Sequence, residues 1–231
     1  MLNQLKIEFY KLKSFPLIYA AALLMMVAGL PYGYLKFDSV VDTNEAFTFV
    51  ICDTSFVFII SIVSSWFIGA DFGNRTVTNE IKLGYSRLSV ILSRALVVYL
   101  QSAVLHVIFL AATIGGYSLA HGFDVSVFHG GNAAWLMTVI LQIIAIESGS
   151  VMICFAAKKT AGAIAISVIY TFVCCNVLRN FVSGRIFTFS CFCLAQNGNG
   201  AVLISCAVSA LVSAAIFMML AFFLFQKSDL K

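Results

Sequence analysis

The charged residues of this chain are concentrated in one short stretch, residues 71–94, between two long apolar runs. The stretch holds six of the chain's 14 basic and 10 acidic side chains. These six are Asp71, Arg75, Glu80, Lys82, Arg87 and Arg94. Because each neighbouring run is long enough to cross a bilayer, the charged stretch must lie outside the lipid. We expect it to bind a partner there.

Three ionisable residues lie inside apolar runs, where a charge is costly and therefore often functional. Asp53 lies near the end of one run, His106 within LHVIFL and Glu147 within AIESGS. A substrate path or a contact between membrane subunits would use such residues. Packing roles are the alternative, because Asp53 could be wetted, His106 could be a hydrogen-bonded packing residue, and the serines beside Glu147 could satisfy its carboxyl.

Motifs for several other chemistries are absent from the sequence. There is no GxxxxGK[ST] loop for nucleotide phosphates and no HExxH metal motif. The seven cysteines lie mostly in apolar runs and form no CxxC pair, which argues against a zinc site or a disulfide framework. We expect no catalytic residue, metal or cofactor in this chain and no nucleic-acid partner.

The composition is that of a membrane protein. Hydrophobic residues make up 61% of the 231 residues, charged residues only 10%, and the mean hydropathy is +1.01. A soluble domain carries roughly 25% charged residues. No cleavable signal peptide is evident, so the first apolar run is interpreted as a retained span.

The apolar runs predict an all-α membrane protein, a single domain over residues 1–231 with six transmembrane helices. The predicted spans cover residues 15–35, 47–70, 95–120, 133–157, 161–178 and 201–225. Residues 1–13 are basic and amphipathic, which predicts a helix at the membrane interface.

The distribution of Lys and Arg predicts the orientation of the spans. One side would carry 11 of the 14 basic residues and the other three. By the positive-inside rule, both termini and residues 71–94 are cytoplasmic. Residues 179–200 are then external. Their apolar part, residues 186–195, is too short to span and is interpreted as a re-entrant or interfacial element, with an ordinary outer loop as the alternative.

The charged stretch itself predicts a short helix, a hinge and the start of the third span. Thr76 or Thr78 could cap the short helix through its hydroxyl. Gly84 is placed to end that helix in a left-handed conformation. Ser86 could cap the helix that follows.

The stretch resembles the cytoplasmic loop of ABC-2-type permeases. The matching residues are Asp71-Phe72, Arg75-Thr76 and Gly84-Tyr85-Ser86-Arg87, and Arg94 stands where the family usually has lysine. The basic leader KIEFYKLK, the six-span layout and the apolar element before the last span are also similar. In size and style, the chain resembles bacterial lantibiotic-immunity and bacitracin-resistance permeases.

The resemblance implies a coupling helix between spans two and three that rests on a cytosolic ATPase subunit. The residues implied at that interface are Asp71, Arg75, Thr76, Glu80, Gly84, Ser86 and Arg87. It also implies two ATPase copies that bind ATP and Mg, and a second permease of the same or a sister chain. The expected setting is the bacterial plasma membrane, and the expected substrate is an exported amphiphile such as an antimicrobial peptide.

Two other functions are compatible with the sequence. A secondary transporter could use Asp53 and Glu147 as a proton or ion relay, although no convincing internal repeat is seen. A membrane scaffold or sensor would transport nothing.

Overall fold

The computed structural model describes residues 2–36, 43–51, 53–54, 56–122, 132–177 and 200–227, and it contains no strand within these ranges. Nine α-helices are described. They are α1 (Leu2–Ser14), α2 (Pro16–Lys36), α3 (Thr43–Ile51), α4 (Val57–Gly73), α5 (Thr76–Lys82), α6 (Arg87–His121), α7 (Asn132–Ala157), α8 (Thr160–Phe172) and α9 (Gly200–Gln226). A π-helical turn, Val173–Val177, continues α8.

The prediction of an all-α membrane protein is confirmed. Four helices, α2, α6, α7 and α9, are long and apolar enough to cross a bilayer, and α4 with α5, which meet at a bend of 59°, would make a fifth span. The predicted second span is divided between α3 and α4, and α8 has only 13 residues. The exact number of six spans therefore stays a prediction, and the apolar element of residues 186–195 lies outside the described residues.

Helix α1 forms where the basic leader predicts it, and its polar side faces the protein. Gln4 and Glu8, one helical turn apart, are buried, whereas Ile7, Phe9 and Tyr10 are exposed. The protein-facing side of α1 thus combines these two polar residues with the partly buried Leu5 and Leu12, which pack against the core. This arrangement suits a helix that lies against α6 and presents apolar side chains to the membrane interface.

The two longest internal helices organise the packing. Helix α6 contacts α1, α2, α3, α4 and α7, while α7 contacts α4, α8 and α9. The α2–α6 contact is close because both helices carry glycine where they cross. A Cβ on Gly33 would lie 1.9 Å from the carbonyl oxygen of Thr113, and one on Gly116 would lie 2.0 Å from that of Leu30.

Gly116→Ala should destabilise the protein because its new methyl group would meet backbone that cannot move aside alone. We expect a loss of about 1–3 kcal/mol in the free energy of unfolding. Gly115→Ala is the matched control, because its Cβ would lie 3.8 Å from a Leu30 side-chain carbon, an ordinary contact. Thermal unfolding in detergent compares the two, and equal losses would contradict the close α2–α6 packing.

Candidate functional site

A fully buried arginine organises the charged end of the molecule. Arg94, near the start of α6, is 0% exposed. Its Nε donates to Asp71 Oδ2 at 2.7 Å, and its two terminal nitrogens donate to Glu80 Oε2 and Oε1 at 2.9 and 3.1 Å. The Glu80 contact is therefore the bidentate arrangement that favours arginine over lysine. A third carboxylate, Glu8, lies 3.5 Å from the guanidinium.

Lys11 on α1 completes this group of charges. Its Nζ lies 3.1 Å from Glu8 Oε1, 3.2 Å from Asp71 Oδ2 and 3.9 Å from Glu80 Oε1. We call Glu8, Lys11, Asp71, Glu80 and Arg94 the Arg94 cluster. Its members come from α1, α4, α5 and α6, so the cluster joins four helices at one end of the molecule.

The Arg94 cluster contains three carboxyl groups and two cations. Burial raises the pKa of the Glu8 carboxyl above its ordinary value, although the charges of Arg94 and Lys11 act in the opposite direction. A buried ion pair adds little net stability over an apolar contact, but the loss of one partner leaves an uncompensated charge. The cluster therefore acts mainly by allowing one arrangement of its four helices.

Of the three helix-end predictions for residues 71–94, the glycine turn and the serine cap are confirmed and the threonine cap is wrong. Gly84 has φ +91°, and the amides of Gly84 and Tyr85 donate to the Ile81 and Glu80 carbonyls at 3.0 and 3.2 Å, the Schellman pattern. Ser86 Oγ accepts from the Ser89 amide at 3.2 Å, which confirms that cap.

The predicted threonine cap is wrong. Arg75 occupies the position before α5 with φ +56°, and its side chain makes no capping hydrogen bond. Thr76 and Thr78 lie within the helix instead. The tight turn that links α4 to α5 at Asn74 and Arg75 sets the chain direction at this point, so α5 begins without a hydroxyl cap.

Arg87 binds the end of the last helix. Its guanidinium donates to the carbonyl oxygens of Phe225 and Gln226, both at 2.6 Å, and lies 5.4 Å from the centre of the Phe225 ring. The last carbonyls of a helix lack intrahelical partners and carry partial negative charge, so a cation is favourable there. Arg87 thus ties the start of α6 to the end of α9.

A family model described as ABC-2 family transporter protein matches residues 4–174, which include most of α1, all of α2 to α8 and all of the Arg94 cluster. The chain belongs to the ABC-2 transporter family. As an ABC-2 permease it is a multi-pass membrane subunit of an ABC transporter, and the family implies an ATPase in a separate subunit. A search of curated proteins finds no match to the chain.

The seven residues predicted at the ATPase interface of the permease lie at one end of the molecule but have different surroundings. Asp71 and Glu80 face Arg94, and Arg87 faces α9. Gly84 and Ser86 shape the chain between α5 and α6. Arg75 is exposed and Thr76 is half-buried. The interface assignment stays a prediction, and the inward-facing members would act through the helices they position.

Sequence reasoning missed several residues of this region. The sequence places Glu8 and Lys11 only in a basic leader, and Arg94 only in the charged stretch and the family motif, so it does not predict that they pair. The available signal was an arginine in the second turn of a helix whose following residues are apolar. A buried arginine at such a position requires carboxylates nearby. Leu83 was also missed, although an apolar residue beside the Gly84 turn, 78% exposed, marks a surface available for contact.

The three ionisable residues within the apolar runs do not form one path among the described residues. Tyr32 donates a hydrogen bond to Asp53, and His106 is buried close enough to Asp53 to interact with its charge. Glu147 instead accepts a hydrogen bond from Ser61 at 2.6 Å, where α4, α7 and α8 meet. Asp53 and Glu147 therefore belong to separate polar groups.

Arg94→Met should destabilise the permease by about 3–5 kcal/mol, because Asp71, Glu80 and Glu8 would keep only Lys11 as a counter-charge. Thermal unfolding in detergent measures the loss. Lys82→Met is the control, since this exposed residue lies on α5 outside the Arg94 cluster. Equal effects of the two substitutions would contradict the central role of Arg94.

The thermal stability of Glu8→Gln, relative to that of the wild type, should increase as the pH rises. Because the pKa of Glu8 is raised in the folded protein, its contribution to stability is complete below the ordinary glutamate pKa of about 4.3 and is lost as the pH rises through the raised value. The difference in Tm between Glu8→Gln and the wild type should therefore increase from pH 4 to pH 7. A difference that decreases would mean that the cations dominate and lower this pKa.

Proposed function

We propose that this permease couples ATP hydrolysis in a cytosolic partner to the export of an amphiphile, with α5 as the helix on which the partner rests. The observation that carries the proposal is the Arg94 cluster. A contact made with α5 is connected through Glu80 and Arg94 to the long helix α6, and through Asp71 to α4. Packed elements with discrete arrangements transmit such movements.

The outer surface of α5 and its turn supports a docking role. The exposed residues there are Arg75, Asn79, Lys82 and Leu83. Two cations beside an exposed leucine suit a partner groove that has an apolar centre and an acidic rim. Binding energy at such contacts is concentrated in a few apolar or arginine anchors, for which Leu83 is well placed.

An apolar groove between α3, α6 and α7 supports an amphiphilic substrate. It has a volume of about 560 Å³. Its lining includes Phe47, Val107, Leu110, Ile114 and Leu136. A groove of this kind would accept the apolar part of a lipid-like molecule or of an antimicrobial peptide, whereas a small polar solute would find few partners.

The proposed assembly contains two permeases, identical or sister chains, and two ATPase subunits that bind ATP and Mg. The 11-to-3 division of basic residues supports both termini and α5 in the cytoplasm of a bacterial cell. Self-protection against an antimicrobial peptide is proposed as the role from the resemblance of the sequence, in size and style alone, to lantibiotic-immunity permeases.

Leu83→Ala should weaken binding of the ATPase subunit at least about fivefold, because an apolar anchor contributes about 1 kcal/mol or more. The measurement is co-purification and titration with an ABC ATPase encoded in a neighbouring reading frame. Leu119→Ala is the matched control, since Leu119 is 79% exposed at the opposite end of α6. Equal binding by both variants would exclude the surface around Leu83 as the docking site.

A further inference from the structure

A group of oxygen-bearing side chains is fully buried where α4, α7 and α8 pack together. We call Ser61 and Ser64 of α4, Glu147 and Ser150 of α7, and Thr171 of α8 the Glu147 cluster. Each is at most 1% exposed. The spacing of three residues within α4 and within α7 places the members from each helix on the same face, so the cluster is part of the packing of three helices.

One serine lies at the centre of the Glu147 cluster. Ser61 Oγ donates to Glu147 Oε1 at 2.6 Å and lies 2.8 Å from Thr171 Oγ1. Ser150 Oγ lies 3.4 Å from Ser61 Oγ. The Ser61 hydroxyl is thus in contact with three oxygen atoms from the two neighbouring helices.

Two further oxygen atoms in the cluster lack a hydrogen-bond partner among the described residues. They are Glu147 Oε2 and Ser64 Oγ, which face each other and make no other hydrogen bond in the described part of the chain. Native proteins rarely leave buried polar atoms unsatisfied without a ligand or water.

The charge of Glu147 has no protein counter-ion in the described part of the chain. Its contacts there are hydroxyl groups, and no lysine, arginine or histidine forms an ion pair with it. The nearby ionisable groups are Tyr99 on α6 and Cys154 on α7, which are neutral acids and bring no positive charge. An isolated carboxylate buried in this way requires a proton or a cation.

We propose that the Glu147 cluster binds a monovalent metal cation of the sodium type. The Glu147 carboxylate supplies the single negative charge, and the hydroxyls of Ser61, Ser64, Ser150 and Thr171 supply neutral oxygen ligands. Oxygen atoms of this kind are the ligands that hard cations prefer. A divalent cation would leave one positive charge uncompensated in the interior.

A bound cation would hold α4 against α7 and α8. Because α4 also carries Asp71 of the Arg94 cluster at its end, the cation would stabilise the arrangement of α4 that the Arg94 cluster requires. The expected effect is therefore on the stability of the permease itself, independent of its substrate and of any ATPase.

The experiment measures the Tm of the purified permease in detergent as NaCl replaces N-methylglucamine chloride at constant ionic strength and pH. The wild type should show a saturable rise in Tm, because a ligand that binds only the folded state stabilises it. Glu147→Gln should lose the rise. Thr171→Val, which replaces one ligand by a group of similar shape, should shift the midpoint to roughly tenfold higher NaCl.

Ser102→Ala is the matched control, because Ser102 is a buried serine on α6 whose hydroxyl bonds the Val98 carbonyl outside the cluster. It should respond to NaCl as the wild type does. Binding of radioactive sodium to the wild type and to Thr171→Val gives a second readout, with weaker binding expected in the variant. This readout keeps the proposal testable if Glu147→Gln does not fold.

Two results would overturn the cation site. In the first, the Tm of the wild type is insensitive to NaCl but rises as the pH falls, and Glu147→Gln removes that pH dependence. Glu147 would then carry a proton in place of the cation. In the second, radioactive sodium binds equally to the wild type and to Thr171→Val, which would place any sodium site elsewhere.

Discussion

A single buried positive charge constrains the cytoplasm-facing end proposed for this permease. Arg94 is fully enclosed, and a guanidinium in that position is tolerated only when carboxylates surround it. The carboxylates come from α1, α4 and α5, so these three helices must lie where Arg94 can reach them. The position of the short helix α5, which would be marginal alone in water, follows from this requirement.

The contact between Glu80 and Arg94 also connects α5 firmly to α6. Glu80 is bidentate to Arg94, and the Schellman turn at Gly84 together with the Ser86 cap fixes the chain between α5 and α6. A partner that moves α5 therefore cannot move it alone. Arg87 extends the connection to the end of α9, and thus to the last membrane helix. An ABC-2 permease requires a connection of this kind if its ATPase is a separate subunit.

Helix α4 carries polar groups of two kinds. At its end, Asp71 shares in the Arg94 cluster, and inside the membrane part of the fold Ser61 contacts Glu147 and Thr171. The first group is balanced by protein charges, whereas the second contains a carboxylate that no basic residue of the described chain balances. This difference is why the Glu147 cluster points to a ligand and the Arg94 cluster does not.

The sequence by itself determined the membrane class, the positions of the long helices, the Gly84 turn and the Ser86 cap, because these depend on composition and on neighbours within a few residues. It also carried the family resemblance that the family model confirms. Only the tertiary structure decided which charges pair. Glu8 and Asp71 lie far from each other in the chain, and they meet because four helices pack around Arg94. The threonine cap failed for the same reason: the turn at Arg75, set by the packing of α4 and α5, outweighed a local preference.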